Sequence, residues 1–239
     1  MLSEMRQDVA AALDRDPAAR GAAEIALAYP GVHALWGYRV ANWLWRHEHR
    51  LAGRCCSALT RTLTGVDIHP GARIGPGLFI DHATGVVIGE TAEIGSDVTI
   101  YHGVTLGGTS LDRGKRHPTI GDRVTIGAGA KVLGPIEVGH DSRIGANAVV
   151  VKAVPPHSVV VGVPGQVIRR RERPEDIGGS RPDLEHGLVP DIVGISLRAL
   201  LERIEVLEAK VGAGENSDGK HQHPHGAADE VWYQEDFSI

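Results

Sequence analysis

The chain has 239 residues, a formal net charge of -5, 31 glycines, and aromatic residues at only 4%. That length allows one substantial domain or two small ones. The charge has no dominant basic block, which excludes nucleic acid as an expected partner. So few aromatics with so much glycine point away from an ordinary sandwich core and towards something thin and repetitive.

The N-terminal "MLSEMRQDVAAALDRD" is charged and has no uninterrupted apolar core, so no signal peptide is expected. No stretch reaches the ~18 apolar residues of a membrane span. Cys55 and Cys56 are adjacent and are the only cysteines, which suits a reducing compartment better than a disulfide framework. The expected location is cytoplasmic. Residues 1–66 read as a helical domain, with Leu, Trp, Val and Tyr at three- and four-residue spacing through "GVHALWGYRVANWLWRHEHRLAGRCCSALTRTL" and breaks at Pro17 and Pro30-Gly31. Trp36, Tyr38, Trp43 and Trp45 are expected to pack.

From residue 68 the chain can be written in sixes: IHPGAR, IGPGLF, IDHATG, then IGETAE, IGSDVT, IYHGVT, LGGTSL, and, after an eight-residue insertion, IGDRVT, IGAGAK, VLGPIE, VGHDSR, IGANAV and VVKAVP. Every leading residue is Ile, Leu or Val. This is the hexapeptide repeat of a parallel β-helix, expected over residues 67–168. The leading residue should point inward, and the small residue after it should permit a tight corner. Three hexads make one triangular coil, which predicts about four coils and a prism about 20 Å tall. A solenoid needs both ends capped. The helical segment could cover one end, and "VVVGVPGQVI" looks like the other.

Residues 169–191 are polar and Pro/Gly-rich and read as a linker. Residues 192–211 place Leu197, Leu200, Ile204, Leu207 and Val211 in an a/d spacing, a short helix and coiled-coil seam. Residues 212–239 read as a flexible tail. Its "HQHPH" has metal-ligand residue types, but a solvated spacer is the expectation. The fold class is therefore α+β: helical segment, β-helix, C-terminal helix and tail.

The hexad IDHATG breaks the pattern with an acid and an imidazole, Asp81 and His82, which cannot be core stackers. Asp67 falls just before the first hexad. The insertion "TSLDRGKRHP" carries Arg116-His117 and should reach a neighbouring subunit, and "VTLGGT" before it offers backbone N–H groups. An imidazole, a carboxylate to orient it, a guanidinium and Gly-rich backbone suit acyl transfer to a small charged acceptor.

These residues resemble the serine acetyltransferases of the hexapeptide-repeat family. The resemblance rests on "GVDIHPGARIGPGLFIDHATGVVIGE", "YHGVTLGGT", "GKRHPTIGDRVTIGAGAKVLGPIEVG" and "VPPHSVVVGVPGQVI", and covers roughly residues 14–168. It implies a left-handed parallel β-helix and a homotrimer with active sites between subunits. The implied reaction converts L-serine and acetyl-CoA to O-acetyl-L-serine and CoA, on the route to cysteine. L-Cysteine would be a feedback inhibitor, acetyl-CoA the co-substrate, and no metal is expected. By position, His82 would be the general base and Asp67 its orienting partner. Asp16 and Asp81 would hold the serine ammonium, and Arg116 and His117 its carboxylate. Gly108, Thr109, Ala128 and Ala146 would line the acetyl-CoA groove. Asp236, Phe237, Ser238 and Ile239 resemble the tail peptide with which family members enter O-acetylserine sulfhydrylase. Many relatives carry a longer N-terminal helical region that joins two trimers, so the resemblance leaves both a lone trimer and a dimer of trimers open. Competing expectations are a hexapeptide acetyltransferase for a sugar or xenobiotic, and a trimeric zinc hydratase of the γ-carbonic anhydrase kind using His82, His102 and His117.

Overall fold

The computed structural model describes residues 2–169 and 192–212. Helices α1 (Leu2–Arg15), α2 (Ala22–Ala28), α3 (Pro30–Arg46) and α4 (Arg50–Thr64) precede a stack of short strands. Pro30 sits at the start of α3, where its missing N–H costs nothing. A further break, beyond those expected at Pro17 and Pro30-Gly31, falls at His47–His49. There Glu48 is left-handed (φ 64), and the amides of His47 and His49 close back on Trp43 and Leu44.

The strands wind as a parallel β-helix with three faces. The first face contains β1 (Asp67–Ile68), β4 (Val87–Ile88), β7 (Thr105–Gly107), β10 (Lys131–Leu133) and β13 (Val149–Val150). The second contains β2 (Arg73–Ile74), β5 (Glu93–Ile94), β8 (Thr119–Ile120) and β11 (Glu137–Val138). The third contains β3 (Phe79–Asp81), β6 (Thr99–Tyr101), β9 (Thr125–Ile126), β12 (Arg143–Ile144) and β14 (Ser158–Val161). β15 (Gln166–Arg169) pairs antiparallel with β14 and closes the stack.

There are five coils rather than the four expected. The fifth uses β13, a bridge at Val154 onto Val138, and β14. Its spacing departs from six because "KAVPPH" turns the corner with two prolines, so the repeat count misses it. The leading residues are buried, apart from the half-buried Ile74. A second inward column at the fifth hexad position was not anticipated: Ala72, Leu78, Ala92, Val98, Val104, Val124, Ala130 and Ala148 are all buried. Most hexads therefore supply two core residues, which is how so thin a prism fills without aromatics.

Along the strands each coil donates its amides to carbonyls of the next: Asp67 N to Val86 O, then Val87 N to Val104 O, both 2.9 Å. The first coil's own carbonyls therefore face the helices. Ser57 Oγ donates to Ile68 O at 2.6 Å, Tyr38 Oη to Ala72 O at 2.7 Å, and Asn42 Nδ2 to Pro70 O at 2.8 Å. Arg15 reaches Gly77 O at 3.0 Å and pairs with Asp97 at 3.0 Å. The helices satisfy buried acceptors that no coil below can reach. Of the aromatics expected to pack, Tyr38 is buried and Trp36 half-buried, whereas Trp43 lies exposed. Trp45 stacks under Arg50 at 4.5 Å.

Helix α5 (Ile192–Gly212) belongs to a second compact unit. Leu197, Leu200, Ile204 and Leu207 are exposed on it. Most of the expected linker, the "HQHPH" run and the residues 236–239 lie outside the described residues. No described helix is long and apolar enough to cross a membrane.

Candidate active site

His82 follows β3 at the corner between the third and first faces. Both His82 and Ala83 are left-handed, with φ 55 and 54. Two such residues in tandem cost about 1–3 kcal/mol each unless the surroundings impose them. Coil stacking imposes them here: Gly85 N donates to Gly65 O, and Gly103 N to Thr84 O. The turn throws the imidazole outward, so its side chain is 74% exposed. Nε2 of His82 lies 3.8 Å from Oδ2 of Asp81, and the His102 ring, one coil on, meets it edge-on at 5.8 Å.

Asp67 stands on the same corner, in register with Val87. Within the chain its carboxylate is paired with Arg61 at 3.2 Å, not with His82. Arg61 is itself well exposed, so this pair is weak.

The helical segment brings a further carboxylate to the corner. The start of α3 packs on β3 so closely that a methyl on Gly31 would overlap the Ile80 carbonyl. Phe79 is buried among Ala11, Ala12, Ile25 and Val32. The α1–α2 connection then presents Asp16. Its Oδ1 accepts from Ala18 N at 2.8 Å, and its Oδ2 from the Tyr29 hydroxyl at 2.5 Å. The Tyr29 phenol is pushed up to about 12, first by that hydrogen bond, then by burial and by the negative charges of Asp16, Glu24 and Asp81. Asp16, Asp81 and Tyr29 thus share one electrostatic neighbourhood.

Arg116 and His117 occupy the corner between the first and second faces, across the first face from His82. Arg116 is ion-paired with Glu90 at 2.5 Å, which holds that carboxyl below the usual range. His117 is 8% exposed. Thr91 Oγ1 accepts the amides of Arg116 and His117, both at 3.1 Å, so its own proton is free to go to Nδ1 of His117 at 2.9 Å. Thr91 N also donates to Nδ1, at 3.2 Å. Burial first, and then Arg116, lower the His117 pKa. The ring is thus neutral with its proton on Nε2. The glycine at 89 is required: a Cβ there would overlap the His117 ring.

The four groove residues divide between these corners. Ala128 and Ala146 stack above the His82 corner, where Asn147 N donates to Ala128 O at 2.8 Å. Gly108 packs against Arg116, and Thr109 against Gly134, on the insertion corner. The residues expected in the site therefore lie in two groups, on opposite edges of the first face.

Tyr29, Glu90 and Thr91 were not singled out from sequence. The signal for the last two was present: "IGETAE" interrupts its hexad with polar residues as "IDHATG" does. Tyr29 gave none, because only the fold sets it against Asp16.

Residues 117–152 match the bacterial transferase hexapeptide (six repeats) family. A serine acetyltransferase of Mycobacterium tuberculosis is 60% identical over 242 residues, covering all of both chains. A Neisseria gonorrhoeae serine acetyltransferase structure in complex with serine is 43% identical with a TM-score of 0.68, covering 70% of this chain and 68% of that one. A serine acetyltransferase structure in complex with cysteine is 42% identical with a TM-score of 0.70, covering 72% and 66%.

Proposed function

The chain belongs to the serine acetyltransferase family and is an acyltransferase, and from that premise we propose how its own residues move the acetyl group. L-Serine binds at the His82 corner. His82 takes the hydroxyl proton as the serine oxygen attacks the thioester carbonyl of acetyl-CoA. The tetrahedral intermediate collapses with loss of the CoA thiolate, which receives that proton from the imidazolium. O-Acetyl-L-serine and CoA leave. Such a base supplies roughly 10²–10⁴-fold.

Asp67, released from the exposed Arg61, orients the imidazole. Asp16 and Asp81 hold the serine ammonium. Arg116 and His117 of an adjacent protomer hold its carboxylate, His117 donating from Nε2. Acetyl-CoA lies along Gly108 and Thr109 of one protomer and Ala128 and Ala146 of the next. Two half-sites on opposite edges of one face are completed by a homotrimer. L-Cysteine has the same zwitterion with a thiol for the hydroxyl, so it competes for the same contacts. The segment Asp236–Ile239 docks on O-acetylserine sulfhydrylase, and the free cysteines fit a cytoplasmic setting.

The observation that supports this reading is the carboxylate of Asp81 beside His82, together with Asp16, whose charge acts with that of Asp81 on Tyr29. Asp16 and Asp81 are met by a phenol, a backbone amide and an imidazole, an arrangement suited to an incoming ammonium. The test is CoA release with L-serine by the wild type and His82→Ala. We expect at least a hundredfold fall in kcat, with the circular dichroism spectrum unchanged because the ring is exposed. Undiminished turnover in the variant would end the reading. Turnover of sugars but not serine would replace it with the sugar acetyltransferase alternative.

A further inference from the structure

The third corner of the prism, between the second and third faces, has no part in the step above. It carries a column of outward side chains, one per coil: Asp97, Arg123, Asp141 and His157, with φ 58, 55, 57 and 55. The shared left-handed conformation projects them in one direction at the ~4.8 Å coil spacing. Backbone bonds hold the register: Asp141 N to Asp122 O and His157 N to His140 O, both 3.0 Å.

At the upper end of the column two imidazoles and a carboxylate converge. Arg123 grips Asp141 with two 2.7 Å bonds, Nε to Oδ1 and Nη2 to Oδ2. Nδ1 of His140 lies 2.7 Å from Asp141 Oδ2. The His140 and His157 rings meet at 88° with centroids 4.9 Å apart. One ligand atom from each of His140, Asp141 and His157 lies within 4.8 Å of the other two, the one such group among the described residues.

We propose that this corner is a divalent metal site with His140, Asp141 and His157 as ligands and water in the remaining positions. Two imidazoles and one carboxylate favour zinc, cobalt or nickel over magnesium or calcium, which prefer all-oxygen shells. Tetrahedral zinc with bonds of about 2.0–2.2 Å needs donors about 3.3–3.5 Å apart. The two rings are exposed and can turn to close the remaining gap. Arg123 engages one lone pair on each Asp141 oxygen and leaves Oδ2 a second for the ion, as hydrogen-bonded outer partners commonly do for metal-binding carboxylates. The ligands come from the fourth and fifth coils, so the ion ties the last, irregular coil to the regular stack.

The test uses the full chain with His221, His223 and His225 replaced by Asn, which silences the imidazoles of "HQHPH". Co²⁺ absorption and Zn²⁺ equilibrium dialysis should show one ion per chain, and Zn²⁺ should raise the thermal midpoint. His140→Asn and His157→Asn should each weaken binding at least tenfold and abolish the rise. His157→Cys should restore binding, since a thiolate is also a zinc ligand, whereas mere loss of ring stacking would not be rescued by it. Equal affinity and stoichiometry in parent and Asn variants would overturn the proposal. So would a change in acetyl-CoA KM with metal binding unchanged, which would make the corner a phosphate contact instead.

Discussion

The hydroxyl of Tyr29 donates to Oδ2 of Asp16 at 2.5 Å, and so joins the first residue of the α2–α3 junction to the turn that ends α1. With its pKa pushed up to about 12, the phenol remains a donor at any working pH. Tyr29→Phe removes the donor and leaves the ring. A hydrogen bond to a charged group is worth about 1.5–3 kcal/mol. Part of that appears as lost alignment of Asp16, so KM for serine should rise roughly tenfold, with kcat and the acetyl-CoA KM nearly unchanged. Steady-state kinetics with each substrate varied would check this. A fall in kcat alone would contradict a positioning role.

Gly89 and His117 form a second such relationship. Alanine at 89 would push the imidazole off its Thr91 partners. Gly89→Ala should raise the serine KM at least about tenfold, the cost of one contact to a charged group. The acetyl-CoA KM should stay within about twofold. An unaltered serine KM would remove His117 from the carboxylate site.

Ser57 tests the capping of the first coil. Its hydroxyl satisfies the Ile68 carbonyl, and the side chain is buried. Ser57→Ala leaves that acceptor unmet, at a cost of about 1–3 kcal/mol. Chemical denaturation should show the midpoint falling with the slope unchanged. An unmoved midpoint would mean water reaches the carbonyl.

Asp141 gives a pH signature. The Arg123 hydrogen bonds, partly opposed by burial and helped by His140, lower its pKa from 3.8 to about 2. A carboxyl whose folded pKa is depressed contributes stability that is complete above about pH 5 and is lost as pH falls through about 2. In the presence of a chelator, the difference in thermal midpoint between wild type and Asp141→Asn should be constant above about pH 5 and shrink steadily as pH falls through about 2. A difference that stays the same between about pH 5 and 2 would show that Arg123 gains nothing from the charge.

Much of this molecule is written along the chain. The thirteen hexad leaders are aliphatic because every coil must place them on the same axis, and that requirement is local and periodic. The break at Asp81-His82 and the insertion that carries Arg116-His117 are visible for the same reason: polar residues that interrupt a strict repeat do not fit its inward column. The fifth coil was not visible, since two prolines alter its spacing while coil-to-coil amides still select its register. Nor was the division of α3 from α4, which depends on one left-handed glutamate.

What only the tertiary structure decided is which side chains meet. Tyr29 finds Asp16 and Thr91 finds His117, although no spacing rule links them, and His157 meets the adjacent pair His140 and Asp141 only once the irregular fifth coil stacks on the fourth. The period fixes which residues point inward, because burial acts on every coil alike. The partners of outward residues are set by how corners stack and where the helices dock, and those are long-range contacts that a repeat cannot encode.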